Sequence, residues 1–276
     1  MAHVPKGHHD EKHRNNGIAG RVTAAVAELC IYNNMHSIVM FKAKPMKHAA
    51  ELMPLSPEQQ QAAFPSFFDA APVIRLQDSL ADFLGAARDG LLEYRYVDVV
   101  RLAGHSCPTV ASAFLMTRAA LQALYPQGLP RRGDLRVELR DGPDQGVTGV
   151  IGNVVGYLTG AAGEGGFHGI AGRFVRQGLL AYAVPMETQV RFTRLDTGER
   201  VGVSADLSKV PGHPRAAELM ARCLRGQASV EEQEAFRAAW QGRVQRLLLQ
   251  HADDPEVIVL AREPEAGLAG VSEKHA

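Results

Sequence analysis

Apolar positions along the chain fall into blocks of two different periods. Helical spacing appears first over Gly20 to Asn33, where Val22, Val26, Leu29 and Cys30 share a face among the strong helix formers Ala24, Ala25 and Ala27. It returns over Val110 to Leu124, with Val110, Phe114, Leu121 and Leu124 on one stripe. A third block, Val147 to Thr159, carries Val147, Val150, Ile151, Val154, Val155 and Leu158 at the same spacing. Two more helices are predicted over Arg215 to Leu224 and Val230 to His251. The second opens with Ser229 and Glu232 as a capping box and buries Phe236, Trp240, Val244, Leu247 and Leu248. Period two marks Leu135 to Arg140, where Leu135, Val137 and Leu139 alternate with charged residues. Strands are also predicted over Leu179 to Val184, Thr188 to Arg194 and Arg200 to Ala205, with Asp196-Thr197-Gly198 as a hairpin turn between the last two. Ser37 to Phe41 and Val257 to Leu260 add short strands.

Between Lys44 and Asp78 the periodicity breaks at Pro45, Pro54, Pro57, Pro65 and Pro72. Only short helices fit here and just beyond: Pro57 to Phe64, Leu80 to Ala87 with Leu80, Phe83 and Leu84 inward, and Tyr96 to Arg101. Phe64, Phe67 and Phe68 are expected to anchor the irregular segment on the core. The order of elements predicts an α+β fold, an α-β-α-β(3) core with a mixed sheet, plus N-terminal and C-terminal helical extensions. The corresponding divisions are a mobile His-rich terminus (1–19), an N-terminal extension (20–95), the core (96–210), a C-terminal helical segment (211–262) and a tail (263–276).

Composition narrows the function classes. A chain of 276 residues buries about three quarters of its unfolded surface and needs no disulfide staple. Thirty basic residues balance thirty acidic ones, which argues against nucleic acid as a partner. Cys30, Cys107 and Cys223 are odd in number and far apart, as in a reducing compartment. There is no apolar leader among the first residues and no run of about 18 apolar residues. A cytoplasmic protein with no membrane partner is expected.

The chemistry concentrates at Leu102-Ala103-Gly104-His105-Ser106-Cys107-Pro108. In an extended segment His105 and Cys107 project to one face. Pro108 suits the first helical position, so Cys107 sits at a helix N-terminus, where the partial positive charge favours a thiolate. Thiolate beside imidazole suits a soft metal ligand or a nucleophile. The competing reading makes Cys107 a core thiol and His105 a hydrogen-bonded turn residue. Two donors fall short of the three or four that zinc takes. His168, in the glycine-dense loop Gly160 to Gly169, is the expected third: His48 lies in an irregular segment, His213 beside prolines and His251 at a helix end. The cluster His3, His8, His9 and His13 reads as solvated. Glu164, in the same loop as His168, and Asp144 are candidate bases, and with Cys107 the candidate catalytic groups. Gly149, Gly152, Gly156 and Gly160 line one side of the second core helix, permitting close approach of another helix or backbone.

Gly104-His105-Ser106-Cys107-Pro108 opening a helix resembles the Gly-His-x-Cys-Pro signature of the FmdE family, which takes its name from the formylmethanofuran dehydrogenase operon. Val150-Ile151-Gly152-Asn153 through Leu158-Thr159-Gly160 is similar to that family's second helix, which reads Cys-x-x-Asp and ends in Leu-Thr-Gly. The glycine loop, Val190-Arg191-Phe192 and Thr197-Gly198 follow in the family's order. The resemblance covers about Asp98 to Ala205. Val150 and Asn153 replace the family's Cys and Asp, removing a negative donor at each, and the zinc-ribbon tail of some members is missing. The resemblance implies a metal-binding core with zinc (iron, copper or nickel being alternatives) and a homodimer, with a small-molecule ligand if the site is open. An open site would make it a metal-dependent enzyme or accessory protein; a closed one, a metal- or redox-sensing module or partner-binding module.

Overall fold

Alternation along Leu135–Leu139 (β3) puts Leu135, Val137 and Leu139 entirely inside and makes this strand the second of five in a mixed sheet. The computed structural model of the chain describes Pro54 and residues 56–263. The helix expected over Gly20 to Asn33, the strand over Ser37 to Phe41, His3, His8, His9, His13, His36, His48 and Cys30 lie outside those residues. The sheet order is β4-β3-β5-β6-β7, with β4 at Leu180–Ala181, β5 at Val190–Arg194, β6 at Arg200–Ala205 and β7 at Ile258–Glu263. Only β3 and β4 run parallel; the other pairs are antiparallel. The architecture is α+β, as expected.

Seven α-helices surround this sheet among the described residues. Pro57–Ala62 (α1), Ser79–Phe83 (α2) and Tyr96–Ala103 (α3) precede the longest core helix, Pro108–Leu124 (α4). Thr148–Thr159 (α5), Ala216–Leu224 (α6) and Val230–Gln250 (α7) complete the set. α4 packs against α5, α7, β6 and β7. It is buried nearly all round, from Val110, Phe114, Leu121 and Leu124 on the predicted stripe to Leu115, Met116 and Ala120 off it. The capping box at Ser229 and Glu232 starts α7, and Val244, Leu247 and Leu248 are buried, while Phe236 and Trp240 are only partly covered.

Three expectations need correction. Ile74–Gln77 (β1) and Leu91–Tyr94 (β2) form a separate antiparallel pair that the periodicity does not reveal, because each strand is only four residues long. The helix at Leu80 is shorter than expected, and Phe83 and Leu84 face outward at 57% and 60% exposure. Phe83 stacks instead on Phe174, with ring centroids 5.2 Å apart. Glu263 belongs to β7 rather than to the tail, and its carboxylate accepts a hydrogen bond from Arg191 Nε. Phe68 is buried as an anchor and meets the Tyr96 ring edge-on at 4.9 Å.

The glycines of α5 are met by atoms of their own chain. A Cβ on Gly149 would lie 2.5 Å from the Pro143 carbonyl oxygen, and one on Gly156 2.9 Å from that of Ala161. At Gly152 it would meet the Tyr182 hydroxyl at 2.2 Å. Gly160, with φ +75°, caps the helix in the left-handed region. Close approach is therefore what the row provides, and intrachain neighbours suffice to explain it.

Candidate metal site

Gly104 ends α3 in the left-handed conformation, φ 72° and ψ 3°, and its N–H closes the last turn on the Val100 carbonyl. The chain then runs extended into Cys107, which is the N-cap of α4 with Pro108 in the first turn. Cys107 is 8% exposed, and its Sγ receives the Val110 N–H at 3.5 Å. The sulfur thus faces the positive end of a seventeen-residue helix. His105 is exposed, with Nδ1 2.9 Å from the Ala103 carbonyl oxygen. A carbonyl can only accept, so Nδ1 carries the proton and the neutral ring presents a lone pair at Nε2. Metal-ligating histidines are commonly oriented by such a carbonyl bond.

Ser106, between the two donors, is fastened to the C-terminal helix. Its carbonyl accepts from Trp240 Nε1 at 3.0 Å and from Gln241 Nε2 at 3.2 Å. Its hydroxyl donates to Gln241 Oε1 at 3.0 Å, so the Tyr96 hydroxyl, 3.0 Å away, must be the donor to Ser106 Oγ. Burial pushes the Tyr96 hydroxyl well above the ordinary phenol range, more than the Ser106 bond lowers it, so this donor keeps its proton. Tyr96, Trp240 and Gln241 escaped the sequence reading as supports of the motif. The two α7 residues lie more than 130 positions away.

The other expected residues are dispersed. His168 is exposed and makes no hydrogen bond, while Glu164 is exposed and contributes only its carbonyl, to Gln177. Asp144 is exposed before α5. Asn153 is exposed and Val150 half-buried. His213 accepts from the Arg215 N–H, and His251 pairs with Asp254 at 2.8 Å. Among the described residues no three His, Cys, Asp or Glu side chains are grouped to hold a metal ion. His105 Nε2 and Cys107 Sγ suit zinc by donor chemistry, and one chain as described adds no third donor to them.

The strongest charge cluster lies elsewhere and was not anticipated. Asp78 is buried at 3% and caps α2 through Leu80 and Ala81 N–H groups. Its carboxylate also accepts from Arg176 Nη2 at 2.7 Å and Arg132 Nη1 at 2.8 Å. Arg132 Nη2 continues to the Tyr157 carbonyl, tying this cluster to α5. Gly133, with φ +90°, leaves room for Arg176: an added Cβ would sit 0.9 Å from Nη1. Glycine at 133 was the one local sign of it.

Comparison with known proteins bears on the segment just described. The family described as FmdE, Molybdenum formylmethanofuran dehydrogenase operon, matches residues 102–254. The match extends beyond the resemblance seen in the sequence, through α6 and α7. No curated protein matches the chain. Among solved structures, the chain is similar to an FmdE-like protein of the tungsten formylmethanofuran dehydrogenase type from Syntrophus aciditrophicus. The two are 17% identical, with 66% of this chain and 78% of that one covered and a TM-score of 0.36.

Proposed function

The chain belongs to the FmdE family, and from that premise we propose that it binds a transition metal, zinc first, through His105 Nε2 and Cys107 Sγ. The observation that carries this reading is the geometry of the two donors. One is a sulfur at a helix N-terminus, and the other an imidazole whose second nitrogen is already committed to a backbone carbonyl. The Tyr96, Trp240 and Gln241 bonds to Ser106 hold the intervening residue and so limit the freedom of both donors. A third protein donor is required for tight binding, and His168, which has no hydrogen-bond partner to give up, is the residue assigned to it. A second copy of the chain is the alternative source and would make the homodimer part of the site. Burial of Cys107 disfavours an oxidant-sensing role, because thiol oxidation follows exposure.

Elemental analysis of the full chain, purified without chelator, tests this. The expected result is about one zinc, iron, copper or nickel ion per chain, with near-complete loss in Cys107→Ser. No bound metal in the unaltered protein overturns the proposal. His168→Ala separates the two sources of the third donor. Loss of metal with an intact fold supports the loop. Unchanged metal content together with a dimer mass by light scattering points to the second copy.

A further inference from the structure

Where β3 ends and α5 begins, an open cleft of about 610 Å³ is walled by Leu139, Val147 and Ile151 on its apolar side. Gln145, Thr148 and Gln189 supply most of its polar side. We propose that this cleft binds a small organic oxyanion, a carboxylate or phosphate group carrying a short apolar body. Nothing in the metal assignment above uses these residues.

The start of α5 is unusual for a twelve-residue helix. Val147 stands at the N-cap, no side chain caps the first turn, and no acidic residue lies in it. The Gly149 and Val150 N–H groups accordingly have no partner within the chain's described residues. Thr148, which lines the cleft, is buried to 8%, yet its hydroxyl makes no hydrogen bond. A hydroxyl that well covered and unpaired is costly unless a ligand or solvent completes it.

The two glutamines sharpen the choice of ligand. Gln145 Oε1 accepts the Gly142 N–H at 2.7 Å, and Gln189 Oε1 accepts the Ala205 N–H at 3.1 Å. With both amide oxygens committed to backbone, each side chain has only its NH₂ group left to offer. Hydroxyl, amide and helix N–H donors then outnumber free acceptors, which selects an anion over a cation or a neutral amide. Asp141 also lines the cleft, but Arg140 engages both of its oxygens, at 3.2 Å and 3.0 Å, and neutralises it. The apolar wall opposite the donors favours an anion with a hydrocarbon part over a bare ion.

Titration calorimetry of the full chain with butyrate and with inorganic phosphate, at fixed ionic strength, tests the proposal. Saturable binding is expected, tighter for butyrate if a carboxylate is the natural group and for phosphate if a phosphate ester is. Thr148→Val should weaken it about ten-fold, the value of one hydrogen bond to a charged group. Gln145→Glu keeps an oxygen for the Gly142 N–H but replaces the free donor with a negative charge, and should abolish binding in a folded protein. Either no saturable binding by the unaltered chain, or binding unchanged in Gln145→Glu, overturns the assignment. Should Thr148→Val fail to fold, Gln145→Glu decides alone.

Discussion

Asp78 shows how much one side chain organises in this protein. Burial drives its carboxyl upward, but the Arg132 hydrogen bond, the Arg176 charge and the Ala81 N–H together hold it below the ordinary 3.8. Replacing it leaves two guanidinium groups without their anion, and Arg176 is itself only 6% exposed. Asp78→Asn is therefore expected to lower stability by about 3–5 kcal/mol at neutral pH, measured by urea denaturation. The pH dependence has a definite sign. A carboxyl lowered by folding contributes its stability above the unfolded value and loses it as pH falls through the folded one. The gap between the unaltered protein and Asp78→Asn should stay constant above about pH 5 and close in more acidic solution. A gap that persists undiminished in acid would show that the carboxylate charge is not what the arginines need. At the same scale, His105 and Cys107 were legible from their spacing before Pro108, whereas the Nδ1 bond to Ala103 depends on the backbone turning at Gly104.

Among the elements, α5 is the one whose sequence looks least suited to its conformation. Glycine inside a helix costs about 1 kcal/mol relative to alanine, so substitution in open space would stabilise it. The neighbours reverse that sign at two positions. The Cβ of Gly149→Ala would meet the Pro143 carbonyl, and that of Gly156→Ala the Ala161 carbonyl, both backbone atoms. Each variant should lose about 1–3 kcal/mol in chemical denaturation, as overpacking does. Gly152→Ala should be the mildest of the three, because the atom in its way is the end of the half-exposed Tyr182 side chain. Stabilisation by Gly149→Ala or Gly156→Ala would mean that the close contacts do not exist in solution. Propensity alone predicts an expensive helix here, and packing supplies the reason for it.

On the scale of the whole molecule, the C-terminal segment is structurally continuous with the core. β7 pairs with β6 over six residues, Val257 and Ile258 are buried, and α7 packs on α4 while its Trp240 and Gln241 hold Ser106. A chain truncated after Val210 should fail to fold cooperatively, since it exposes the β6 edge and the buried face of α4. The chain divides after Pro54, and the buried core runs from Phe68 to Ile258. A chain starting at Leu55 should therefore unfold in a single transition, followed by circular dichroism. Cooperative folding of the shorter 1–210 chain would show that the C-terminal helices merely decorate the core. No described helix is long and apolar enough to cross a membrane.

The sequence by itself determined what short-range rules encode. The alternation of Leu135, Val137 and Leu139, the Gly104 stop, the Cys107-Pro108 start of α4 and the capping box of α7 each depend on residues a few positions apart. Family membership was legible for the same reason, because its signature is contiguous. Tertiary structure alone decided what depends on distant segments meeting. Asp78 finds Arg132 across 54 positions and Arg176 across 98, and Ser106 finds Gln241 across 135. The outward turn of Phe83 and Leu84, the β1–β2 pair and the committed oxygens of Gln145 and Gln189 are of that kind. Period and capping are local consequences of backbone geometry. The partner of a buried charge or a donor aimed into a cleft is set only when the chain closes on itself.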